Sequence, residues 1–193
     1  MIQVTKSEQN FFIVKKRSIT NQKQSDAWNK ISDIRAKLRN HILTNEQEKM
    51  CVYCEKKISS DSSKSNIDHF RTRNTHPHLT LLYDNLFVSC NNKNHCSSKK
   101  DNSGLANNDF SNLINPIDDD IENNFSFTTF GELTGKNEKA KFTIDVFGLN
   151  NRSLVEERKN IFLQLQNCKH MSVETIFETL QCHKSFLKYI ISA

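Results

Sequence analysis

Residues 51–101 read CVYCEKKISSDSSKSNIDHFRTRNTHPHLTLLYDNLFVSCNNKNHCSSKKD. Four of the six cysteines of the chain lie here: Cys51, Cys54, Cys90 and Cys96. The two-residue gap of Cys51-Val-Tyr-Cys54 lets both thiolates face one cation while the intervening N–H groups point at the sulfurs. Cys90 and Cys96, separated by NNKNH, make a looser second pair that completes a tetrahedral all-thiolate site. His95, beside Cys96, competes for the fourth position. The pattern reads as structural zinc, because four protein ligands leave no open position for chemistry. A redox role is disfavoured, since no βαβ pattern surrounds Cys51.

Within the segment that zinc would close, residues 66–70 and 86–89 read as two short strands. Residues 71–84 link them, with a helical turn near residues 79–83, and a further helix can start near Ser98. Asp68-His69 ends the first strand. Neighbouring strand residues face opposite ways, so the two side chains can share a face only where the backbone bends at the strand end. There Asp68 could bind a hard divalent cation, magnesium or manganese, through oxygen. His69 could take a proton from water and aim it at a phosphorus, the metal neutralising charge on the leaving oxygen. Asn85, opening the second strand, could orient that base. Arg71 and Arg73 are placed to meet phosphate; His76 and His78 read as exposed loop.

Outside this stretch the chain is 193 residues long with a net charge of +5, a balance that suits a polyanionic partner without demanding one. Hydrophobic content is 36%, so a structural metal would help the chain fold. The N-terminal residues carry no apolar leader and no stretch reaches membrane-spanning length, so the expected address is the cytoplasm. Residues 2–5 and 11–14 each read as a short strand. From Ser25 a helical pattern runs to Ile42, capped by Ser25 or Asp26, followed by a short helix over residues 45–50. Residues 125–130 read as a strand, 132–136 as a turn, 138–147 as a helix ended by Gly148, and 152–167 as another helix. One last amphipathic helix is expected from Ser172, and it offers a docking face for a partner. Cys168 and Cys182 read as small, partly buried residues rather than ligands.

The order Cys-x-x-Cys, Asp-His, Asn-Leu, Cys, Cys, Lys resembles the HNH endonucleases. More narrowly, CVYCEKKI, NIDHFRTR, YDNLFVSC and HCSSKKD resemble the PtuB-type nuclease subunits of Septu-type and retron-associated antiphage systems, as do the Trp28–Leu38 helix and FGLNNRSLVEERK. The resemblance implies an α+β fold in which a zinc-stapled ββα-metal core is flanked by N-terminal and C-terminal helices. It divides the chain into an N-terminal strand and helix segment (1–50), the nuclease core (51–106), a connector (107–124) and a mainly helical C-terminal region (125–193). It also implies His69 as general base, Asp68 as ligand to the catalytic metal, Asn85 as the group orienting the base, the four cysteines as zinc ligands, and Lys100 as a contact to phosphate. Many HNH enzymes have His or Asn just after the last Cys as a second metal ligand; here Ser97 stands there, so Ser97 through water, His95, or one of Asn91, Asn92 and Asn94 would take that place. The implied partner is a PtuA-type ABC/SMC-like ATPase, since this chain has only four Gly and no phosphate loop. The implied substrate is DNA, with transfer RNA as the alternative; a zinc-stabilised binding module without catalysis is the third reading.

Overall fold

The computed structural model describes residues 1–19, 26–167 and 172–192 and is α+β. At its centre, strand β1 (Ser65–His69) pairs antiparallel with β2 (Leu86–Cys90), so that Asp68 lies opposite Phe87 and His69 opposite Leu86. Both faces of this hairpin are covered, which is why every residue of β2 is buried.

Alternation along the strands sorts their side chains between two cores. Ile67, Leu86 and Val88 face one way. Helices α1 (Asn10–Arg17), α2 (Ala27–Lys30) and α3 (Arg35–His41), followed by a π-helical turn (Ile42–Glu46), cover that side with Phe12, Trp28, Ile31, Leu38, Ile42 and Leu43. Phe87 belongs to the other core, with the cysteine loop, Phe70, Phe110, Ile114, Phe147 and Leu154. Helix α4 (Ser97–Asp101) lies on that second face. The buried Gln47 side chain closes the hairpin's edge: its amide accepts the Val88 N–H at 2.8 Å and donates to the Val88 carbonyl at 2.8 Å.

Beyond α4, residues 107–124 contribute Phe110, Leu113, Ile114 and Ile121 to the second core. Helix α5 (Ile121–Asn124) leads into a small antiparallel pair, β3 (Phe125–Phe127) and β4 (Leu133–Gly135). Then follow α6 (Glu138–Phe147), α7 (Arg152–Asn167), α8 (Val173–Leu180) and α9 (Lys184–Ser192). Among the described residues, no helix is long and apolar enough to cross a membrane.

Several elements depart from the sequence reading. Residues 11–14 lie inside α1: Phe12 is fully buried while Val14 is 66% exposed, the one-sided burial of a helix. Residues 2–5 form no strand; the Ile2 and Val4 N–H groups donate to the carbonyls of Val52 and Pro116. The expected long helix breaks between α2 and α3, where Arg35 Nη2 takes the Trp28 carbonyl at 2.7 Å. Ser25 lies outside the described residues, and Asp26 makes no side-chain cap. In place of the helix over 45–50 stands the π-helical turn. The expected turn at 132–136 is β4, because Leu133 finds Phe127 across the hairpin. The last helix is two helices. Gln181 and His183 adopt positive φ between them, and the His183 N–H donates to the Glu55 carbonyl at 2.9 Å. Glu55 also accepts the Ser185 N–H at 2.8 Å, so a tertiary contact made just after the cysteine loop interrupts the helical pattern. Cys182 is half-buried, and Cys168 falls outside the described residues. His76 is buried against Phe110 rather than exposed.

Helices α6 and α7 have their expected bounds. Gly148 ends α6 with φ +58°, and a Cβ there would sit 2.6 Å from Lys99 Cδ and 3.1 Å from the Asn94 carbonyl oxygen. One residue earlier, the Phe147 carbonyl accepts the Cys96 N–H at 2.7 Å, tying α6 to the cysteine loop. Gly148→Ala is therefore expected to lower stability by about 1–2 kcal/mol, read as a shift in urea midpoint at unchanged slope.

Candidate metal centre and active site

The sulfurs of Cys51, Cys54, Cys90 and Cys96 all lie within 4.8 Å of one another and are buried. Cys51 and Cys96 are 3.7 Å apart, Cys54 and Cys90 3.9 Å. A tetrahedral zinc with Zn–S bonds of about 2.3 Å requires sulfurs about 3.8 Å apart, so the cage has the dimensions of a zinc site. Burial raises the thiols of Cys54 and Cys96, and four thiolates can share this space only around a cation. The Cys90 N–H donates to Cys51 Sγ at 3.3 Å, the amide-to-sulfur bond expected of a knuckle. His95 stands beside the cage: its Nδ1 is 3.1 Å from Cys96 Sγ and its Nε2 is buried without a partner.

Asp68 and His69 leave β1 on opposite faces. Asp68, 3% exposed, meets α4. Lys100 Nζ lies 2.7 and 3.0 Å from its two oxygens, and the Tyr53 hydroxyl donates to Oδ2. Lys100 itself is buried, and its ammonium also donates to the carbonyls of His69 at 2.5 Å and Phe70 at 3.3 Å. The lysine expected to meet phosphate is thus the internal counter-charge of the aspartate expected to hold a metal. Two candidate second ligands bond elsewhere: Ser97 Oγ faces the Asn66 side chain at 3.4 Å, two residues back along β1, and His95 is at the sulfur cage. The donor set around Asp68, as arranged, does not fit a divalent cation.

His69 faces the N-terminal helices. Its ring packs edge-on against Trp28, centroids 4.5 Å apart, and Nε2 meets the Thr80 carbonyl at 3.0 Å. A carbonyl can only accept, so Nε2 carries the proton and Nδ1 the lone pair. Nδ1 of His69 has no hydrogen-bond partner among the described residues, and the residue is buried, 7% exposed. Burial lowers the His69 pKa to about 4 against the opposing pull of Asp68, so the ring is neutral at pH 7 and able to accept a proton. The Asn85 side chain bonds to backbone rather than to this ring. Its Oδ1 accepts the Arg71 N–H at 2.8 Å, and its Nδ2 donates to the carbonyls of Arg71 and Leu79 at 3.0 and 3.3 Å. It thereby pins the loop whose next residue, Thr80, holds His69. Arg73 is exposed with its guanidinium 5.8 Å from the Trp28 ring centroid; Arg71 is half-buried. Sequence reading placed Trp28 in a helix pattern and Tyr53 within the knuckle, but nothing in the string ties the first to His69 or the second to Asp68.

No family model matches the chain. Over 100 residues it is 34% identical to the Septu protein PtuB of Bacillus thuringiensis, a match covering 52% of this chain and 36% of that protein. Over 127 residues it is 35% identical to a protein of Vibrio cholerae serotype O1 biovar El Tor named as a candidate HNH endonuclease of retron Vc95, covering 58% of each. The chain spans less than two thirds of either relative. The resemblance read from the sequence is borne out: the chain is similar to a Septu PtuB protein and to a retron protein named for the HNH endonucleases.

Two outcomes are expected at this site. Elemental analysis of the purified chain should find one zinc per molecule, and Cys90→Ser should lose both the metal and cooperative unfolding. Lys100→Met should cost about 3–5 kcal/mol by leaving Asp68 charged and unpaired in the core; Asp68→Asn added to it should recover part of that loss in the same denaturant titration.

Proposed function

We propose that the chain is an HNH endonuclease that hydrolyses phosphodiester bonds of DNA, with β1, β2 and α4 as its ββα core and zinc as the structural staple. The observation that carries this reading is the His69 imidazole, fixed through Nε2, neutral, and unbonded at Nδ1. In the reaction Nδ1 takes a proton from water as the water oxygen bonds to phosphorus. The bond from phosphorus to the leaving ester oxygen breaks, and that oxygen departs with the electron pair. An anionic phosphate beside the ring raises its proton affinity above that of the empty site. Arg73 supplies positive charge to the phosphoryl oxygens, and Asn85 acts as a positioning residue through the Thr80 loop. The Asp68–Lys100 pair fixes the end of β1 from the opposite face, and no step runs through a second metal.

Similarity to a Septu protein supports a role in antiphage defence beside a PtuA-type ATPase in the cytoplasm. Tyr189 and Ile191, each 37% exposed on α9, supply apolar surface for such docking. One observation favours a non-catalytic, zinc-stabilised binding module instead: the closure of Asp68 by Lys100.

His69→Ala distinguishes these readings. It should reduce plasmid cleavage by about 10²–10⁴-fold, the usual contribution of a general base, while the variant still folds and keeps its zinc. Full cleavage by the variant would reject His69 as base, and defence that persists without cleavage would establish the binding reading. Total transfer RNA incubated in parallel tests the alternative substrate.

A further inference from the structure

A shallow groove of about 670 Å³ opens between the π-helical turn and the loop that precedes β1. Lys49, Lys57 and Lys64 line it and all three are exposed. Among the described residues, none of the three appears in an ion pair, and Lys57 donates only to the neutral Gln181 side chain. Arg39 reaches the same groove, where its Nε donates to the Ser60 carbonyl at 2.7 Å. The acids nearby are Asp61, which feels Arg39 and Lys64, and Glu48, which is paired with Lys184.

The groove is connected to the His69 site by α3. Arg35 and Arg39 stand four residues apart on this helix, on one face. Arg35 places its guanidinium 5.1 Å from the Trp28 ring centroid, the ring that packs on His69, and the Arg73 guanidinium lies 5.8 Å from the same centroid. Strand β1 runs alongside, from Ser65 next to Lys64 to His69, a span of about 13 Å at 3.3 Å per residue. Positive charge is therefore laid out from one end of β1 to the other, on the helix beside it, and continues into the groove.

We propose that Arg73, Arg35, Arg39, Lys64, Lys57 and Lys49 form a cationic track that holds the sugar-phosphate backbone of duplex DNA to one side of the bond presented to His69. This rests on the nuclease reading above and adds to it where the uncut flank of the substrate lies. The repeating phosphates of a nucleic-acid backbone, rather than a compact anion, match a row of separated cations along an open groove. The track sets affinity and register and leaves proton transfer to His69.

The test is binding of a labelled 24-base-pair duplex to the zinc-loaded chain carrying His69→Ala, followed by fluorescence anisotropy over a range of salt. Replacing Lys49, Lys57 and Lys64 together by Ala should weaken binding at least about tenfold and make the slope of log K against log salt shallower by about 2.7, three phosphate contacts at 0.9 each. With His69 intact, the same triple variant should raise KM for DNA and keep kcat. Unchanged affinity and slope in a folded, zinc-containing triple variant would overturn the track. No cleavage by the chain with His69 intact, while the triple variant still lowers the salt slope, would sink the nuclease reading and leave the track standing, so the two failures are told apart.

Discussion

Four sulfurs held within bonding distance of one cation are the constraint on which the rest of this molecule depends. They join the loop at residues 51–54, the end of β2 and the start of α4. Each of those segments is short, and α4 has five residues, far below what a helix needs to persist alone. The hairpin has five-residue strands and would be marginal as an isolated pair. A metal that binds only the folded arrangement adds its binding free energy to folding, and it does so where secondary structure supplies least. The same junction gathers the C-terminal part: Glu55, next after the last knuckle cysteine, accepts the Ser185 N–H, and the Phe147 carbonyl takes the Cys96 N–H.

From that staple the hairpin acts as a partition. Because adjacent side chains on β1 point to opposite sides, Asp68 and His69 enter different environments although they are neighbours in the chain. On one side a carboxylate, an ammonium and a phenol form a closed buried set; on the other an imidazole rests on an indole and a backbone carbonyl. The closed set contributes rigidity, since removing Lys100 leaves Asp68 without its counter-charge in the core, while Lys100 also pairs with Asp101 at 3.3 Å. The imidazole is on the side that carries the arginines. The difference between the two faces is a direct result of strand geometry: one face fixes the end of β1, and the other holds a neutral imidazole.

Much of this was legible beforehand. The cysteine spacing named all four cage residues, because a Cys-x-x-Cys knuckle followed by a second cysteine pair has metal-ligand spacing. Both strands of the hairpin and helices α6 and α7 were visible from β-branched runs, from three- and four-residue periodicity and from Gly148 as a stop. The errors share one cause. Residues 11–14 are β-formers by propensity, yet Phe12 packs into the core over the hairpin, against Tyr83, from within a helix, so tertiary context overrode propensity. The final helix has an unbroken apolar stripe, yet Glu55 captures its middle. Nothing local to residues 172–192 records that capture.

By itself the sequence determined the metal cage, the hairpin and which histidine stands at its end, since spacing and residue type are properties of the string. Tertiary structure alone decided what those groups face. Lys100 might have met a phosphate and instead neutralises Asp68. Asn85 braces a loop instead of the imidazole. Arg35, one of several ordinary helical cations, lies over Trp28 beside His69. Contact across the two faces of a sheet depends on how distant segments pack, and packing is a property of the whole chain that no local pattern encodes.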